Sequence, residues 1–193
     1  DDSTDNDITG VGFETDFLWI KRRDEAAQHY LFDSLRLYDN GHNKQLFSSV
    51  TTRIADDEVN SSRVRLIDPT DGFNLTNADT DLNASAGSYV AWNWKAGNAN
   101  TAFSESGNNP GGIHRANVAA GFSIVSYTGT GAAGTVAHGL GAAPELMLIK
   151  NRDVADEWYV YYGDNTDYLV LDDTDATADS ATAWNDTSPT SSV

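Results

Sequence analysis

The sequence predicts an all-β protein, an antiparallel β-sandwich of jelly-roll or lectin-like type built on two related strand-loop-strand units. Short aromatic and β-branched segments recur at close spacing with turn residues between them, no stretch carries a sustained helical period, and one strand-loop-strand pattern occurs twice. In chain order the strand signals are Asp16 to Lys21, His29 to Phe32, Lys44 to Phe47, Arg63 to Ile67 and Ser88 to Trp94. Alternation is clearest in the last of these, where Tyr89, Ala91 and Asn93 face one way and Val90, Trp92 and Trp94 the other. Strand signals resume at Gly121 to Tyr127, Glu145 to Lys150, Glu157 to Tyr162 and Tyr168 to Leu171, and Thr177 to Trp184 suits a short helical turn.

Between these groups, residues 97–118 are rich in Gly, Asn, Ser and Ala and contain Pro110-Gly111-Gly112, which predicts a linker or long exposed loop. The expected organisation is therefore a first β module over 1–96, the linker over 97–118 and a second β module over 119–193. The repeat supports two modules. Gly10 to Asp24 aligns without gaps on Gly139 to Asp153, an offset of 129, and the match continues at Ala26/Ala155 and Tyr30/Tyr159. Each copy has a Gly-x-Gly turn, a hydrophobic strand, a basic end, a polar loop and an aromatic return strand. The first copy carries the end of the pattern and the second its beginning, as in a window across a longer array; alternatively, the two halves complete one sandwich.

Composition narrows the function. In 193 residues there are 12 Lys and Arg against 29 Asp and Glu, a formal charge of −17. That field repels phosphate backbones and anionic headgroups and argues against nucleic-acid binding. No run of about 18 apolar residues is present, so no membrane insertion is expected. The acids are 23 Asp and 6 Glu and the bases 8 Arg and 4 Lys. Many short carboxylates and few ammonium stems suit a surface hydrated in concentrated salt, hence a halophilic or marine source; an ordinary acidic secreted or virion protein fits the same counts. There is no Cys, so thiolate chemistry and disulfides are excluded.

No catalytic constellation emerges, and the chain is read as a non-enzyme without a cofactor. Ser123 opens a strand rather than a Gly-x-Ser-x-Gly elbow. Gly129 to Gly134 is Gly-rich but leads to no helix, so it reads as a hairpin tip rather than a phosphate loop. Asp79, Asp81 and Asn83 place oxygen ligands at alternate positions and form a weak calcium candidate, although the turn glycine and terminal glutamate of a calcium loop are missing. Asp172, Asp173 and Asp175 form a weaker one. The four His residues lack metal-ligand spacing. Aromatic residues on strand faces, Trp92, Trp94, Trp158 and Tyr161, are the candidate contacts for a glycan or a protein partner, with packing as the competing role.

The runs Gly121-Phe-Ser-Ile-Val-Ser-Tyr-Thr-Gly-Thr-Gly131, Ala137-His-Gly-Leu-Gly141, Pro144 to Arg152 and Trp184-Asn-Asp-Thr-Ser-Pro-Thr190, with Asp71-Gly-Phe-Asn-Leu75 and Asn83 to Lys95, resemble a repeated module of uncharacterised activity in structural proteins of tailed phages, often marine ones. The resemblance spans roughly residues 8–96 and 119–193. It implies a β-sandwich on a virion surface, in a tail fibre, spike or capsid appendage that serves host adhesion. It implies partners among other virion proteins, assembly as a homo-oligomer for which a trimer is one arrangement, and a host-surface glycan as a further partner. A carbohydrate-binding or carbohydrate-active lectin-like domain is the alternative. The first copy departs from the pattern by its insertion from Leu35 to Val64.

Overall fold

A computed structural model describes residues 6–37, 43–48, 63–66, 70–75, 81–171 and 173–193, and among the described residues there is no helix. The chain forms two compact units, Asp1–Lys95 with Arg152–Asp156, and Ala96–Asn151 with Glu157–Val193. The fold is all-β and consistent with a sandwich; the named strands all pair antiparallel.

The first unit contains β1 (Asn6–Ile8), β2 (Phe17–Arg22), β3 (His29–Leu37), β4 (Asn43–Phe47), β5 (Val64–Arg65), β6 (Phe73–Leu75) and β7 (Tyr89–Trp94). They make a four-stranded sheet, β4-β3-β2-β7, and a three-stranded sheet, β1-β6-β5. Period-two alternation sends Leu18, Ile20, Tyr30, Phe32 and Phe47 of the larger sheet into one core with Val64, Phe73 and Leu75 of the smaller, closed by Leu66 and Leu82. Full burial of each such side chain contributes about 1.5–3 kcal/mol. A register shift between Phe32 and Leu37 marks a bulge in β3. There the Asp33 carboxylate accepts from the amides of Leu35 and Arg36 and pairs with the Arg36 guanidinium. Asn43 donates to the Asp33 carbonyl and accepts from the Leu66 amide at 2.8 Å each, which fastens the bulge to the core.

The second unit contains β8 (Thr101–Phe103), β9 (Gly112–Asn117), β10 (Phe122–Tyr127), β11 (Met147–Lys150), β12 (Trp158–Tyr161), β13 (Asp167–Val170) and β14 (Ala178–Asp179). It has sheets β10-β9-β8 and β11-β12-β13-β14. Here the expectation of a loop over 97–118 is corrected: β8 and β9 lie inside that segment and pair with each other and with β10. Glycine in β9 marks close backbone approach, since a Cβ on Gly112 would overlap the Ser126 carbonyl oxygen. Residues 128–146 contain no strand, so Gly129 to Gly134 is no hairpin tip; Thr130 and Thr135 bond instead to the Asn108 carbonyl and the Asn109 side chain. Thr177 to Trp184 includes β14 rather than only a turn.

Candidate functional site

The two sequence repeats fold into hairpins of the same register. In the first, Leu18 faces Phe32, Ile20 faces Tyr30 and Lys21 faces His29. In the second, Met147 faces Tyr161, Ile149 faces Tyr159 and Lys150 faces Trp158, which are the same pairs displaced by 129. The preceding Gly-x-Gly turns agree as well: Gly10 and Gly12 both have φ of 88°, and Gly139 and Gly141 have φ of 75° and 73°. Successive amides in such a turn point one way and form a concavity for an anion. In the first unit it holds Asp71, whose carboxylate accepts from Gly10 N at 2.8 Å and Gly12 N at 2.7 Å. These amides hold the Asp71 carboxyl below the usual carboxylate range.

The hairpins differ at their outer edge. β2 is paired on both sides, by β3 and by β7, with Phe17 opposite Trp94, Trp19 opposite Trp92 and Lys21 opposite Val90. Among the described residues β11 pairs with β12 alone and forms the border of its sheet. Leu146, the counterpart of Phe17, is 62% exposed.

The face of β2 and β7 away from the core is aromatic. Phe17 meets Trp94 edge-on at 5.4 Å between ring centroids, and Trp19 meets Trp92 at 6.0 Å and His29 at 5.8 Å in the same manner. The Trp19 indole N–H donates to His29 Nδ1 at 2.9 Å. Burial, and then the charge of Lys21, lower the His29 pKa below 6.5, which favours the neutral form that this bond requires. Trp92 remains 45% exposed and Trp94 half-buried. This ring row combines exposed apolar surface with polar neighbours, which is the chemistry of glycan or protein contact.

Trp158 and Tyr161 take a different role from the surface contact that the sequence allowed. They are 5% and 3% exposed. Tyr161 packs edge-on against Trp184 at 5.5 Å, and the Trp184 indole donates to the Asp167 carbonyl. Both faces of β12 are therefore covered, and these two rings are core.

Of the calcium candidates, Asp79 and Asp172 lie outside the described residues. Asp81 accepts the Tyr30 hydroxyl at 2.7 Å and lies 3.8 Å from Arg63, whose guanidinium sits over the Tyr30 ring. Burial and the Asp81 bond push the Tyr30 hydroxyl up to about 12. Asn83 is half-buried beside Leu82 of the core. Asp173 accepts the Thr174 amide in a local turn. Among the described residues no group of three His, Cys, Asp or Glu side chains is placed to hold a metal ion. A hollow of about 230 Å³ near Glu157, Tyr168, Asp173 and Asp175 is smaller than an ordinary ligand pocket. Ser123 donates to the His138 carbonyl rather than to its ring, and the ring nitrogens contact Leu140 N and Thr190 O, so the two residues form no nucleophile and base pair.

The class defined by these features is an all-β protein assembled from a repeated hairpin, with an aromatic face on one sheet and, among the described residues, β11 at the border of another. Residues 1–193 match the model of a family described as a domain of unknown function, DUF7483, and the chain belongs to that family. No curated protein and no solved structure matches it.

Proposed function

We propose that this protein is a non-catalytic structural module of a tailed virus, exposed on a tail fibre, spike or capsid appendage, where it contributes to host-surface adhesion. The observation that carries the reading is the repeated hairpin of identical register, since recurring modules suit an extended, multivalent appendage. The phage-like runs from Gly121 to Tyr127 and from Trp184 to Thr190 supply the virion context, and the high acidity suits an exposed, soluble surface. Its partners are other virion proteins and copies of itself, with a trimer as one arrangement. Location on the virion surface outside the cell follows from the same reading.

Trp92 favours a second reading, a carbohydrate-binding lectin-like domain, because a half-exposed indole packed edge-on against Trp19 is a stacking platform for a sugar ring. Sedimentation of the purified chain combined with incubation on host polysaccharides tests both. The proposal expects an oligomer without turnover. A stable monomer that cleaves polysaccharide, with one carboxylate substitution abolishing cleavage, would overturn it; glycan binding lost in Trp92→Ala, with no virion association, would favour the lectin.

A further inference from the structure

We propose that the second hairpin is a docking site for a polypeptide segment supplied in trans that carries the pattern of this chain's own residues 71–95: an aspartate for the Gly139-Leu140-Gly141 turn and an alternating aromatic strand for the β11 edge.

The first hairpin shows what that surface receives. Its glycine turn binds the Asp71 carboxylate, and the outer edge of β2 binds β7, so both complements come from one stretch, Asp71 to Trp94. The second hairpin repeats the register and the turn geometry, but β11 borders its sheet. Among the described residues neither the Gly139 nor the Gly141 amide has a hydrogen-bond partner. Leu146 stands exposed where Phe17 packs against Trp94. Among the described residues the β11 edge, the Gly139 and Gly141 amides and the Leu146 side chain thus each lack the partner that residues 71–94 provide in the first copy, while the Leu140 amide between the two glycines is already held by His138 Nδ1.

Ladder alternation fixes the orientation. Leu171 N donates to Trp158 O, so Trp158 and Val160 bond toward β13 while Tyr159 and Tyr161 bond toward β11. Met147 and Ile149 then bond to β12, and Leu148 directs its amide and carbonyl to the open edge. In the first unit, Arg23 N donates to Ser88 O, which sets Val90 and Trp92 of β7 to bond toward β2. Transferred by the offset, the docked strand places Trp94 opposite Leu146, Trp92 opposite Leu148 and Val90 opposite Lys150, with main-chain bonds giving affinity and the aromatic side chains giving register. The edge belongs to the fold and holds whichever functional reading is correct.

The test is fluorescence anisotropy of a labelled synthetic peptide of residues 71–95 titrated with the full chain. Saturable binding at one site is expected. Val90→Pro in the peptide removes an amide that the ladder uses and leaves the protein untouched, so affinity should fall at least about tenfold; Asp71→Asn in the peptide should also weaken binding. Leu148→Pro in the chain, at an edge position whose amide faces away from β12, should weaken binding as Val90→Pro does while the circular dichroism spectrum is retained. No saturable binding up to about 1 mM, equal binding of the Val90→Pro peptide, or binding indifferent to Leu148→Pro would each overturn the proposal.

Discussion

The first and second hairpins have the same register and the same turns, yet they end in different environments. Ile20 and Ile149 occupy equivalent rungs, opposite Tyr30 and Tyr159. Ile20 is 2% exposed inside a closed sandwich, whereas Ile149 is only half-buried. Local sequence therefore encodes the pairing of two adjacent strands, through alternation and a turn that fixes the start. Burial comes from elements distant in sequence: β7 on the edge, and β5, β6 and Leu82 over the face. A hairpin without those elements keeps its shape, with β11 only half-buried and its buried residues confined to Trp158, Val160 and Tyr161 of β12.

The largest expected effect is a direct comparison of those two residues. Ile20→Ala should destabilise by about 2–5 kcal/mol, because it removes buried methyl groups and leaves a cavity in a closed core. Ile149→Ala should cost about 1 kcal/mol or less, since its site already meets solvent and gains little cavity surface. Urea denaturation of the two variants measures both. Equal losses would mean that the two environments are energetically alike and would break the comparison.

Acid should separate the two glycine turns next. The folded Asp71 pKa lies below its ordinary 3.8 because the Gly10 and Gly12 amides favour the carboxylate. Its stabilisation is present above pH 3.8 and is lost as pH falls through the lowered folded value. Asp71→Asn should therefore lower the urea midpoint at neutral pH and flatten its acid dependence. An unchanged acid profile would remove Asp71 from the account. Asp24, held at about 2 chiefly by its bond to Arg22, gives the first hairpin loop a dependence of the same sign.

The smallest effect concerns the aromatic row. His29 has a folded pKa below 6.5, so its contribution is complete above pH 6.5 and declines as pH falls below it. Protonation also removes the acceptor for the Trp19 indole N–H. The equivalent position in the second copy is Trp158, which does not titrate. The Trp19 indole resonance should shift as pH falls below 6.5, and His29→Phe should abolish that shift; a shift that persists in the variant would assign the titration elsewhere.

How far this was legible in the sequence follows from the same division between local and distant causes. The ungapped match of Gly10 to Tyr30 on Gly139 to Tyr159 announced both hairpins, and alternation placed Trp92 and Trp94 on one face. β8 and β9 were not legible, because Thr101–Phe103 and Gly112–Asn117 lack apolar alternation and become strands through pairing with β10. The burial of Trp158 and Tyr161 was hidden for a similar reason: one cover is Trp184, which arrives from an irregular stretch remote in sequence. The Gly-x-Gly turns were visible, but their acidic partner Asp71 lies 59–61 residues away and nothing local points to it. Long-range closure is what composition and period leave unspecified.

Amide hydrogen exchange, resolved by residue in the dilute full-length chain, tests the central claim most directly. Ile20 and Ile149 both bond to their sister strand, and each should be protected. Trp19 bonds to β7 while Leu148 faces an open edge, so the Leu148 amide should exchange far faster than that of Trp19. Protection of Leu148 equal to that of Trp19 would mean that the β11 edge is covered, and would contradict the account.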